Sequence, residues 1–231
     1  MQRSALIIGN SDGIGLAASK TLLERGWRVI GISRSPSPVD HPEYTHHVSD
    51  LKDDVYPGVL ESLIRNGPPL DVCIFSAGIG ELLNIADMGN EIKTVNINFL
   101  GMVKTTAVVI PAMAAEGKGH FLGISSVADE MISAEAPGYH ASKAGFSNYL
   151  EGLALALRPK GVRITNVRFG FVDTKMAKGD VKPFMMSVPR AVDHIMICIE
   201  KKPARYTAPL VVAPLVWFRR QALKLTLKFG R

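Results

Sequence analysis

Tyr139 and Lys143 stand four residues apart at the start of a stretch with helical patterning. Both side chains therefore leave one face of a helix. A phenol with an ordinary pKa near 10 is a poor acid or base at neutral pH. A nearby ammonium favours the phenolate and lowers that value. Such a pair can exchange a proton with a substrate oxygen while a hydride moves on the carbon. The spacing alone is common, and Ser126 gives it context. The apolar run before it ends Gly123-Ile124-Ser125-Ser126, and the C-terminal end of a strand is where a doubly wound sheet opens its ligand crevice. Ser126 reads either as a donor to the substrate oxygen or as a serine that merely ends a strand.

A second group of residues could hold an anion. The first apolar run leads into Gly9-Asn10-Ser11-Asp12-Gly13-Ile14-Gly15, and a helical stretch follows. Strand, glycine-rich turn and helix in that order suit a diphosphate. Gly9 permits the tight turn, Gly13 lets the backbone approach, Gly15 allows the helix to pack close, and the helix N-terminus offers free amides. A plain strand–helix turn is the simpler alternative. The next run ends Gly31-Ile32-Ser33-Arg34. A site for NAD usually places a carboxylate here for the ribose 2′-hydroxyl. Ser33 is neutral and Arg34 cationic, which suits the additional 2′-phosphate and favours NADP(H) over NAD(H).

The elements that must position these residues are legible as alternation. Apolar runs at 6–8, 29–32, 72–75, 121–124 and 163–167 read as buried strands, and His47-Val48 as the end of a further short one. Helical patterning occupies 14–25, 55–65, 91–115, 139–158 and 191–199. This order predicts an α/β fold of the Rossmann type: a doubly wound parallel sheet in a three-layer α/β/α sandwich. The 231 residues, 47% hydrophobic and 21% charged, fit a single domain with a substantial core. Cys73 and Cys198 both lie in apolar patterns and read as reduced core residues, in keeping with a cytoplasmic chain. The first strand begins almost at once, so no secretory leader is expected. His46, His47, His120, His140 and His194 lack metal-ligand spacing, and no metal is predicted.

Taken together, the chain resembles the short-chain dehydrogenase/reductase family over about residues 4–200. The resemblance rests on Gly9-x3-Gly13-Ile14-Gly15, Asp50-Leu51, Ala77-Gly78, Asn98 with Gly101, Ser126, Tyr139-x3-Lys143, and Gly170 with Thr174. It implies a general acid/base role for Tyr139. It implies that Lys143 lowers the tyrosine pKa and holds the nicotinamide ribose, that Ser126 donates to the substrate oxygen, and that Asn98 holds a water in a proton relay. Asp50 and Leu51 would contact adenine, and Val172 and Thr174 the nicotinamide carboxamide, with Ala77 and Gly78 in the cofactor wall. A mid-helix asparagine and a helix cap are the plainer readings of Asn98 and Asp50. The chain departs from the family pattern at Ile8, Phe75-Ser76, Phe169 and Asp129, the last standing where glycine is common.

The resemblance makes a carbonyl or alcohol the expected small-molecule substrate, and a homodimer or homotetramer the expected assembly. A non-catalytic NADP(H)-binding protein is the alternative. The segment 176–188, with Phe184, Met185 and Met186, is expected to shape an apolar substrate pocket. Residues 1–213 form the expected catalytic domain and 214–231 a basic amphipathic helix. The net charge of +6 is concentrated there, in Arg219, Arg220, Lys224, Lys228 and Arg231. Basicity confined to one end argues against a nucleic-acid groove. Two partners fit the helix: the protein's own body or another subunit, and an anionic membrane surface.

Overall fold

A computed structural model describes residues 2–177, 183–212, 214, 216, 218 and 221. Its elements follow the expected alternation. They are β1 Ser4–Ile8, α1 Gly13–Glu24, β2 Arg28–Ser33, β3 Tyr44–Val48, α2 Tyr56–Asn66 and β4 Val72–Phe75. Then come α3 Gly89–Val95, a π-helical segment Asn96–Leu100, α4 Gly101–Ala115, β5 Gly119–Ser126 and a 3₁₀ turn Val127–Glu130. The remainder are α5 Pro137–Leu157, β6 Val162–Phe169, α6 Val188–Lys201 and β7 Arg205–Ala208. All pairings are parallel, in the order β3-β2-β1-β4-β5-β6-β7.

Alternate side chains along the strands feed two cores. Ile7, Val29, Ile74, Leu122 and Val167 pack with Leu22 of α1 and Ile195 of α6 on one face. Leu6, Ile30, Cys73, Phe75 and Phe121 pack with Leu60 of α2, Val109 of α4 and Phe146 of α5 on the other. This is the doubly wound three-layer architecture. Both cysteines are buried free thiols.

Two sequence expectations change. The helix expected at 91–115 is interrupted by the π segment, which carries Asn98. Although Gly89–Ala115 is apolar and long enough to cross a membrane, Ile97, Met102, Val109, Ile110 and Met113 in it are core residues. β7 was not anticipated: its four residues, Arg-Tyr-Thr-Ala, lack an apolar run because the strand lies at the sheet edge. The opposite edge strand, β3, runs from Tyr44 and ends at His47-Val48, as expected.

His120 and Thr165 join β5 to β6 inside the core, with His120 Nε2 2.8 Å from Thr165 Oγ1. Burial, aided by the cations Lys202 and Arg163, pushes the imidazole down to about 3. The folded protein thus keeps His120 neutral where the unfolded chain, titrating near 6.5, takes up a proton. Stability from this residue is complete above pH 6.5 and is lost as pH falls from 6.5 towards 3. A His120→Gln variant is expected to lose stability less steeply over that window, by up to on the order of 4 kcal/mol, as measured by urea unfolding at a series of pH values.

Candidate active site

Because the sheet is parallel, every strand points its C-terminal end at one edge. The order turns back between β1 and β4, whose neighbouring loops then diverge to opposite faces and leave a crevice. A cavity of about 960 Å³ lies there, lined from the glycine turn to Val216. Gly9, Ser11, Asp12, Gly13, Ile14, Ser33, Arg34, Asp50, Leu51, Ala77, Gly78, Ser126, Tyr139, Lys143, Val172 and Thr174 all face it. Of the expected site residues, Gly15 and Asn98 stand behind the wall.

The glycine turn is built on shape. Gly9 and Gly13 hold φ values of 86° and 56°, which favour glycine. A Cβ on Gly15 would overlap the Gly9 carbonyl, so the third glycine lets α1 close onto the turn. Asp12 caps α1 by accepting from Gly13 N at 2.8 Å. It also pairs with Lys175 at 2.7 Å across the cavity mouth, a bond that with the Gly13 amide holds its carboxyl below the usual range. At the far end Ser33 donates to the Ser35 carbonyl at 2.7 Å. Arg34 is exposed and, among the described residues, has no ion-pair partner. Asp50 does cap a turn, accepting from Lys52 N at 3.0 Å, while also facing the cavity. An open turn of backbone amides at the start of a helix fits the diphosphate of a dinucleotide.

The three hydroxyl and amine groups meet at the middle of the cavity. Ser126 caps the 3₁₀ turn, its Oγ accepting from Ala128 N at 3.2 Å. It also lies close enough to the Tyr139 phenol to pull that group's pKa down. α5 starts with Pro137, and Glu91 of α3 accepts from Gly138 N at 2.6 Å, which fixes the helix start that presents Tyr139. One turn on, Lys143 donates through Nζ to the Ile124 carbonyl at 3.0 Å and lies 5.9 Å from the Tyr139 ring centre. Burial lowers Lys143 to about 8, against an upward pull from Asp129. Tyr139 lies above its ordinary value, contrary to the expectation from the lysine. Burial outweighs the lowering by Ser126, and Asp129 adds to the rise.

Asn98 is fully buried. Its Oδ1 accepts from Ile79 N at 2.8 Å, and its Nδ2 donates to the Ile79 carbonyl at 2.9 Å and to Ser142 Oγ at 3.1 Å. The side-chain amide ties the Gly78-Ile79 loop to α5. The π segment is what turns this side chain towards the loop, a use typical of such insertions near functional sites. Ser142, adjacent to Lys143, went unnoticed in the sequence because one serine in a helix carries no periodic signal.

The apolar end of the cavity differs from expectation. Met176 lines it, but Phe184 and Met185 are exposed. Val212 and Val216 line it instead, packed on Val127 and Met131. The start of the expected terminal helix is therefore part of the cavity wall. Leu215, Trp217, Arg219, Arg220, Ala222, Lys224, Leu225, Lys228, Phe229 and Arg231 lie outside the described residues, as do 178–182 of the excursion.

Lys143 is protonated in the folded protein only below about 8, whereas the unfolded side chain holds its proton to about 10.5. Its burial cost is full below 8 and is relieved as pH rises from 8 to 10.5. Lys143→Met is therefore expected to be more stable than the parent at pH 7, on the order of 3 kcal/mol, and to lose that advantage by pH 10.5 in denaturant titrations.

The short chain dehydrogenase family model matches residues 3–183. The chain is 32% identical over 192 residues to the very-long-chain 3-oxoacyl-CoA reductase of Anas platyrhynchos, covering 75% of this chain and 61% of that protein. It thus spans about three fifths of the length of that reductase. An uncharacterized oxidoreductase of Myxococcus xanthus is 28% identical over 225 residues, 91% of this chain and 89% of the relative. Among solved structures, a short-chain dehydrogenase from Streptomyces avermitilis superposes with a TM-score of 0.84 at 19% identity, covering 99% and 96% of the two chains. One from Burkholderia cenocepacia, in complex with NADP, gives 0.81 at 22%, covering 100% and 96%.

Proposed function

The chain belongs to the short-chain dehydrogenase family, and from that premise we propose that it is an NADP(H)-dependent oxidoreductase interconverting an apolar carbonyl compound and its alcohol. The observation that carries this reading is the meeting of Ser126, Tyr139 and Lys143 on one wall of the crevice at the C-terminal ends of β4, β5 and β6. When bound, the nicotinamide supplies or accepts the hydride.

In the direction of reduction, Ser126 and Tyr139 donate hydrogen bonds to the substrate oxygen, and the Tyr139 proton passes to it as negative charge develops there. Two features favour the phenolate left behind: its place in the first turn of α5, at the positive end of the helix dipole, and the Lys143 ammonium. Asn98 holds the loop that faces them. Arg34 and Ser33 would take the 2′-phosphate, the glycine turn with Ser11, Asp12 and Ile14 the diphosphate, Asp50 and Leu51 the adenine, and Val172 and Thr174 the carboxamide. Ala77 and Gly78 would complete the wall.

Val127, Met131, Met176, Val212 and Val216 give the cavity an apolar wall, which supports an aliphatic substrate. The name of the duck relative, a 3-oxoacyl-CoA reductase, agrees with such a preference. Burial of Val212 and Val216 favours packing of the terminal segment on the body over membrane contact. Exposed Ile92, Val95 and Leu100 beside the π segment support a homo-oligomer.

NADPH oxidation with a panel of aliphatic ketones, aldehydes and 3-oxoacyl thioesters is the primary test. Turnover with one of them is expected to fall at least about 100-fold in Tyr139→Phe while NADPH fluorescence quenching stays intact. Quenching without turnover of any panel member would support the non-catalytic reading. Arg34→Ala is expected to weaken NADPH binding by about 10-fold or more and to leave NADH almost unchanged. Equal loss of both would exclude the 2′-phosphate contact.

A further inference from the structure

Asp129 departs from the family pattern, and the structure gives it a partner. Its carboxylate accepts from Arg168 Nε and Nη2, both at 2.6 Å, and both side chains are at most 4% exposed. Arg168 lies on β6, in a strand whose neighbours Val167 and Phe169 are core. A buried, two-pronged ion pair in so apolar a place is costly unless every group is satisfied, and here the network is dense. Arg168 also pairs with Glu130 at 2.8 Å and donates to Thr207 of β7 at 3.1 Å. Asp129 accepts from Ser147 Oγ at 2.6 Å, and Ser147 meets Ser125 Oγ at 2.8 Å.

The position of this network matters more than its strength. Asp129 is three residues beyond Ser126 on the 3₁₀ turn that Ser126 caps. Ser147 is one turn beyond Lys143 on α5. The pair therefore fastens the two elements that carry Ser126, Tyr139 and Lys143 to the end of β6, from behind the cavity. We propose that Asp129 and Arg168 are the positioning pair of the active site, holding the Ser126 turn against α5 and setting the field in which the Tyr139 phenol, beside the Lys143 ammonium, exchanges a proton with the substrate oxygen. This rests on the reading of Ser126, Tyr139 and Lys143 given above.

The charged and titratable groups around Asp129 can be stated element by element. They are Glu130 on its own turn, Tyr139, Lys143 and Glu151 on α5, Arg168 on β6, and Arg205 on β7, which pairs with Glu130 and Glu151. Loss of the Asp129 charge leaves Arg168 less compensated and favours the phenolate. Loss of the Arg168 charge leaves Asp129 uncompensated and disfavours it. A purely structural role would not give opposite signs.

Tyrosine ionisation followed at 295 nm, with Tyr139→Phe as the blank, isolates Tyr139 without any need for turnover. Asp129→Asn is expected to lower its titration midpoint and Arg168→Met to raise it, each by about half a unit or more. The double variant Asp129→Asn/Arg168→Met is expected to return towards the parent. Arg168→Lys keeps the charge but loses the fork. It should leave the midpoint in place while kcat falls about 10-fold or more and the KM for NADPH changes less than about 2-fold. Midpoints that move the same way in both single variants, or do not move, overturn the proposal. So does an Arg168→Lys variant with unaltered kcat. If a single variant does not fold, Asp129→Leu/Arg168→Met, which leaves neither member of the pair charged, carries the geometric test. NADPH quenching with kcat reduced as above supports the pair, and an unchanged kcat overturns it. Absence of turnover in the parent would refute the enzymatic reading, while the 295 nm titrations still report on the pair.

Discussion

Parallel pairing is the constraint on which the rest of this molecule depends. A parallel ladder cannot be closed by hairpins, so successive strands are joined by crossovers, most of them helical and covering a face of the sheet. All seven strands then end at one edge. The backbone at that edge has left the ladder and is free to bend towards a ligand. The reversal of order between β1 and β4 parts the loops on either side, and the cavity occupies the gap. Neither the glycine turn nor the Tyr139 helix creates this space. Each lines a crevice that strand order has already opened.

Within that crevice the energetics are those of buried charge. Lys143 is 4% exposed, and its ammonium has the Ile124 carbonyl as its direct partner, with the Asp129 carboxylate as a favourable field. A group in this position stays near the balance between its charged and neutral forms, whereas an exposed lysine would be fixed as a cation. The Tyr139 phenol is held on the neutral side by the same burial. The apolar cores on both faces of the sheet stabilise the fold and so offset the cost of keeping an amine, a phenol and an ion pair out of water.

The sequence made the core and the front of the site legible because both depend on local pattern. Alternating apolar runs announced β1, β2, β4, β5 and β6, and the order strand, glycine turn, helix located the anion site. Tyr139 and Lys143 could be paired because one helical turn separates them. What stayed hidden depends on contacts between distant segments. The Asn98–Ile79 bonds, the Asp129–Arg168 pair and the Val212–Val127 packing join residues whose separation in sequence carries no period. Asp129 was visible only as a departure from the family pattern. Arg168, a charge inside an apolar strand, was the available hint that a buried partner existed. β7 was missed because its edge position relaxes the demand for apolar residues.

The cavity wall draws on opposite ends of the chain. The glycine turn, Ser33 and Arg34 all precede β3, whereas Met176, Val212 and Val216 follow β6, and the hydroxyl–amine cluster lies between. The chain is therefore modular along its length. Its apolar substrate-side residues Met176, Val212 and Val216 can be changed without touching the glycine turn or the Tyr139–Lys143 pair. A lineage that diversifies there can acquire a new substrate by changes after β6 alone.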